Sequence, residues 1–170
     1  MTTNPPHPSC TIQLDQRSKT LIQDSQDLFC AKPSREIFHR SWNPQATFED
    51  PICIAKGFRE YAAQWYSMPK IFSHSKTLSW SPTKVDEEEI RFQQVQLYRV
   101  RGLGLEKVME STVVLRLDEK GRIVSFQDRW DHKPLPNGRV SGFFRRLNAR
   151  LVPYFVKVET EDLGESGKGK

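Results

Sequence analysis

Apolar residues recur at helical spacing through the first third of the chain and at two-residue spacing through most of the rest. Leu14, Leu21, Ile22, Ser25, Leu28 and Phe29 fall on one face of a first amphipathic helix, which Pro33 interrupts. Ser34 can cap a short second helix with Ile37, Phe38, Ser41 and Trp42 on its apolar side. Asn43-Pro44 ends it, because the residue before a proline disfavours the α region. After Gly57, the spacing of Phe58, Tyr61, Ala62, Trp65 and Met68 predicts a third helix, closed by Pro69. Segments near 47–54, 74–85, 89–101, 106–118 and 122–131 then mostly alternate and are rich in Val, Ile, Phe, Tyr and Thr. Arg101-Gly-Leu-Gly104 and Asp118-Glu-Lys-Gly121 suit the short turns that join antiparallel strands. Helices followed by hairpins predict an α+β fold. A strongly curved mixed or antiparallel sheet should wrap around the N-terminal helices as a cone-shaped half-barrel.

Composition adds boundaries. With 36% hydrophobic and 11% aromatic residues, the 170-residue chain can bury a real core. Residues 1–13 form a polar, Pro-containing tail, 14–133 the domain, 134–158 a basic amphipathic extension and 159–170 a solvated end. No apolar run approaches the ~18 residues that span a bilayer. The N-terminus shows neither a secretory apolar stretch nor early basic residues, so the expected compartment is the cytoplasm. Cys10, Cys30 and Cys53 are too scattered for a disulfide framework. No CxxC or paired His/Cys spacing occurs, so no structural metal site is expected.

Charge changes the picture only through its location. Lys+Arg 26 against Asp+Glu 21 leaves +5. Arg139, Arg145, Arg146, Arg150 and Lys157, in a stretch without acids, equal that whole excess. Phe143, Phe144, Leu147 and Leu151 make one helical face there, with Arg145, Arg146 and Arg150 off it, and Pro153 breaks the helix near its end. The segment therefore packs on its own domain or a homodimer partner across the sheet, or contacts an anionic membrane surface. No nucleic-acid module accompanies it, so no nucleic acid is expected.

Two carboxylates carry the candidate chemistry. In the last strand Val124, Phe126, Asp128 and Trp130 share one face, which would place Asp128 among large apolar side chains and raise its pKa. The alternative is a strand-end Asp reaching solvent or an Arg. Asp50 precedes Pro51 and should sit at a strand edge, aimed at a cavity mouth or merely closing an Asp-Pro turn. His39 and His132 are candidate proton partners. Trp42, Phe48, Trp65, Tyr66, Phe92, Tyr98, Phe126 and Trp130 are candidate pocket walls that read equally as core.

The order helix, helix, "NPQATFEDP", a Gly-led helix and strands ending in "GRIVSFQDRWD" resembles the SnoaL-like branch of the nuclear-transport-factor-2-like superfamily, over about residues 14–133. The resemblance implies a bent sheet around a long helix with an apolar pocket at the open end. Asp50 matches the position of the general base of ketosteroid isomerases. Asp128 matches the acid–base residue near the last strand's end in limonene-epoxide hydrolases and SnoaL-type cyclases. The isomerase's oxyanion donors are absent, since Gln26 and Val113 stand at their places. Gln94 and Gln96 stand where the hydrolase has an Arg-x-Asp pair. The implied function is a pocket for a small apolar or aromatic molecule, with cofactor-free proton transfer of an isomerase, cyclase or dehydratase kind. The alternative is a non-catalytic binding module, membrane-peripheral through 139–157.

Overall fold

The computed structural model describes residues 12–156 and 158. The expected tails at 1–13 and 159–170, apart from Ile12 and Gln13, lie outside those residues, as does Lys157.

Helix α1 (Gln16–Phe29) starts where Asp15 accepts the Ser18 amide at 2.7 Å and buries Leu21, Ile22, Ser25, Leu28 and Phe29. Helix α2 (Arg35–Ser41) is capped by Ser34, as its sequence predicts, and buries Ile37 and Phe38. The next segment differs from expectation. It is a hairpin of β1 (Trp42–Asp50) and β2 (Cys53–Lys56) rather than one strand over 47–54. The turn forms because Oδ1 of Asp50 accepts the Ile52 amide at 2.8 Å, which folds the chain back directly after Pro51. Helix α3 (Phe58–Ile71) continues two residues past Pro69, whose missing N–H forfeits only one bond in the last turn.

Strands β3 (Phe72–Val85), β4 (Glu89–Val100), β5 (Glu106–Leu117) and β6 (Ile123–Trp130) complete one six-stranded sheet in the order β2-β1-β6-β5-β4-β3. The pairing of β1 with β6 is parallel and every other pairing is antiparallel, so the sheet is mixed and open at β2 and β3. Register shifts interrupt the β3–β4 ladder at three places, and bulges of this kind bend a sheet around its contents. A further shift opposite Arg116/Leu117 corrects the face expected for β6. It turns Ile123 into the core and leaves Val124 half-buried, while Phe126 and Asp128 stay inside. The core's centre is aromatic. Trp42 stacks on Tyr61 at 4.7 Å and on Phe126 at 5.2 Å, against the inner face of the sheet.

Helix α4 (Arg139–Phe155) runs through Pro153 instead of stopping there, and packs on α3 and β2. Its orientation is the reverse of the usual amphipathic rule. Arg145 and Ala149 are buried, whereas Phe143, Phe144, Leu147 and Leu151 face outward. The reason lies in what it covers: β2 is an edge strand, and its carbonyls and nearby acids need donors. Arg145 donates to the carbonyls of Asp50, Cys53 and Pro136 and to Glu49. Arg146 donates to the Ile54 carbonyl and grips both oxygens of Glu60. Among the described residues, no helix is long and apolar enough to cross a membrane.

Candidate functional site

A cavity of 510 Å³ opens between the end of α3, the inner face of β4–β6 and the underside of α4. Its wall is mostly apolar, with Phe48, Trp65, Met68, Tyr98 and Trp130 among its residues, and the volume lies in the usual range for a small ligand. Both carboxylates expected from the sequence line it.

Asp128 is delivered by strand alternation. Phe126 points down into the core, and two residues further along the same face Asp128 reaches the cavity floor at 6% exposure. Oδ2 accepts the indole N–H of Trp130 at 2.8 Å, while Oδ1 is buried without a partner among the described residues. Burial pushes its pKa up to about 7. The Ser111 hydroxyl and the Trp130 indole work against that rise, and the neighbouring charge of Asp50 adds to it.

Asp50 arrives differently, as the last residue of β1. Burial again dominates and lifts it to about 6, opposed by the amides of Ile52 and Cys53 and by the Arg145 guanidinium. The Asp-Pro turn and the cavity-lining role are therefore the same structure. Tyr98 on β4 completes the polar set. Burial, then the charges of Asp128, Cys30 and Asp50, holds its phenol well above the ordinary range, so it stays a donor at every physiological pH. Two further donors in the wall, Gln64 Nε2 and Trp65 Nε1, are buried and unpaired among the described residues. An apolar cavity with two carboxyls near neutrality, a protonated phenol and two unpaired donors can hold a polarised oxygen while moving a proton beside it.

The other expected residues divide. Phe48, Trp65, Tyr98 and Trp130 line the cavity, but Trp42, Phe92 and Phe126 are core and Tyr66 packs against Phe38. His39 is exposed in the last turn of α2 and is not among the residues that line the cavity. His132 is likewise not among the lining residues. It follows β6 in a left-handed conformation and bonds Thr112 Oγ1 at 2.8 Å, away from the cavity wall. Arg145 and Arg146, expected at a membrane or partner, are turned inward and paired, while Arg150, Phe143 and Phe144 are exposed. Among the described residues no cluster of three or more His, Cys, Asp or Glu could hold a metal.

Sequence reasoning missed Gln64 and the α4 residues Asn148, Val152 and Phe155. Gln64, Met68 and Ile71 follow one another at i, i+4 and i+7, which was a usable signal for the cavity side of α3. The roof of the cavity had no such signal, since it depends on α4 docking by its arginines.

No family profile and no curated protein matches the chain. Solved structures do. A candidate isomerase of the SnoaL-like family from Agrobacterium tumefaciens superimposes with a TM-score of 0.55 at 17% identity, over 69% of this chain and 99% of that one. A candidate polyketide cyclase from Xanthomonas campestris gives 0.57 at 13% identity, over 78% and 97%. A protein from Anabaena variabilis described as nuclear-transport-factor-2-like gives 0.60 at 11% identity, over 72% and 92%. Identities this low speak for architecture and not for activity. The curved mixed sheet, the helices packed in its concave face and these superpositions together give the chain the SnoaL-like, nuclear-transport-factor-2-like fold.

Proposed function

We propose that the protein binds a small apolar or aromatic molecule bearing a carbonyl and moves a proton on it without a cofactor. One observation carries this reading: Asp128, buried on the floor of an apolar cavity, has one oxygen held by Trp130 and the other left free. With its pKa lifted to about 7 by burial, its ionised form is populated at neutral pH yet basic enough to accept a carbon-bound proton. Deprotonation beside a carbonyl converts the C–H electron pair into an enolate, with the proton on Asp128. Tyr98 donates a hydrogen bond to the enolate oxygen. Return of the proton to a second carbon isomerises the substrate, and return to the first regenerates it. Asp50 sets the electrostatics of this step, since its charge makes Asp128 harder to ionise.

The experiment is exchange of α-protons of a cyclic β,γ-unsaturated ketone into D₂O, followed by NMR, with the full chain. The wild type accelerates exchange and Asp128→Asn loses ~10²–10⁴ of that acceleration. Equal exchange by both proteins removes the chemistry. The second reading, a holder of ligand without chemistry, is supported by Gln26 and Val113 at the places of the isomerases' oxyanion donors. Under it the ketone or an anilinonaphthalene probe binds while exchange stays at the solvent rate.

A further inference from the structure

Helix α4 has its polar face inward and its apolar face outward, which is a costly way for a surface helix to end up in water. Val140, Phe143, Phe144, Leu147, Leu151, Tyr154 and Phe155 are all exposed, Phe143 by 64% and Phe155 by 80%. On a helical projection they fall within an arc of about 120° along a helix about 25 Å long, and such a continuous apolar stripe marks a contact surface. The arginines that would normally flank a solvent face are committed elsewhere. Arg145 is buried against Glu49 and three carbonyls, and Arg146 is bidentate on Glu60. The helix is thus bolted to the domain with its apolar side presented outward.

We infer that this face is a docking surface for an anionic lipid membrane. The charges bordering it decide the occupant. α4 contains no acid, Glu49 and Glu60 are neutralised by its inward arginines, and Arg150 stands exposed at the edge of the stripe. Arg59 lies over the Tyr154 ring at 5.8 Å, and Lys70 reaches the Phe155 carbonyl at 3.5 Å. A second copy docking face to face would bring these cations against themselves, whereas a phospholipid surface supplies the opposite charge. Aromatic rings and a Tyr at the border of an apolar stripe suit the headgroup zone.

The cavity mouth lies beside this face. Phe155 belongs to both, and Ile52 and Ile71 line the cavity while remaining about half exposed. Docking therefore sets an apolar mouth against hydrocarbon, so that the ligand exchanges with the bilayer rather than with water. That route rests on the pocket reading above; the docking itself does not.

The test is sedimentation of the full chain with vesicles of phosphatidylcholine containing one third phosphatidylserine, against pure phosphatidylcholine, at low and high salt. Wild type should partition about tenfold more strongly into the anionic vesicles, and less at high salt. The exposed pair Phe143→Ser/Leu147→Ser should lose about tenfold, while melting like wild type and still binding anilinonaphthalene in the cavity. Arg150→Glu should reduce the anionic preference by about fivefold. Wild type that ignores both vesicles, or a double variant that partitions unchanged, overturns the proposal. So does a dimer that the double variant dissociates, since a second copy would then own the face.

Discussion

Trp130 donates its indole N–H to Oδ2 of Asp128 at 2.8 Å from two residues further along the same face of β6. The bond fixes the carboxyl plane, but neutral donors such as this indole and the Ser111 hydroxyl do not repay the burial of a charge. Asp128 therefore binds its proton more tightly in the folded protein, near pH 7, than in the unfolded chain, near 3.8. A raised pKa contributes stability that is complete below about pH 4 and is lost as pH rises through about 7. Asp128→Asn keeps the Trp130 bond and removes the charge. Chemical denaturation should find it equal to wild type below about pH 4 and more stable by ~2–4 kcal/mol near pH 8. Groups common to both proteins cancel in the difference.

Asp50 raises the pKa of Asp128 through its own charge, after burial. Asp50→Asn should therefore lower the pH at which proton exchange activates, while leaving the maximum rate within about tenfold. A pH–rate profile checks this. An unchanged midpoint would mean that the two carboxyls do not sense each other.

Tyr98 supplies a phenol that stays protonated because burial and two nearby carboxylates hold it so. Tyr98→Phe removes the donor and little volume. Exchange should fall by ~10–10³-fold, with the loss in kcat rather than in KM, because the oxygen gains its charge only as the reaction proceeds.

Arg145 ties the α4 roof to the domain through Glu49 at 3.2 Å and three backbone carbonyls. Arg145→Ala leaves that acid and those carbonyls short of a donor, at a cost of about 2–4 kcal/mol. Urea unfolding reads the loss. Limited proteolysis should cut first in 134–138, and anilinonaphthalene should bind the loosened cavity more weakly.

The helices and the later hairpins of β3 to β6 were legible because their signals are local, whereas the β1–β2 hairpin was read as one strand. Ser34 and Gly57 mark helix starts directly, and alternation through 89–101 and 106–118 leaves little choice of strand. Asp128 was legible for the same reason, as two-residue periodicity placed it beside Phe126 and Trp130. The bulge that turns Ile123 inward was not, because one extra residue in a ladder has no sequence mark. His39 and His132 fall outside the cavity wall, because a histidine near a site in sequence has no obligation to reach it in space. α4 was legible as a helix that packs on its own domain, but not in its orientation. Periodicity found its apolar stripe, but the direction that stripe faces was decided by Glu49, Glu60 and the open carbonyls of β2, far away in the chain.

Carboxyl titration of protein labelled with ¹³C at aspartate Cγ reads the proton-transfer groups of the cavity directly, with Asp128→Asn and Asp50→Asn identifying the two signals. The expected midpoints are about 7 for Asp128 and about 6 for Asp50. If both carboxyls titrate near the ordinary 3.8, no proton-transfer group exists in the cavity and the proposed function is wrong.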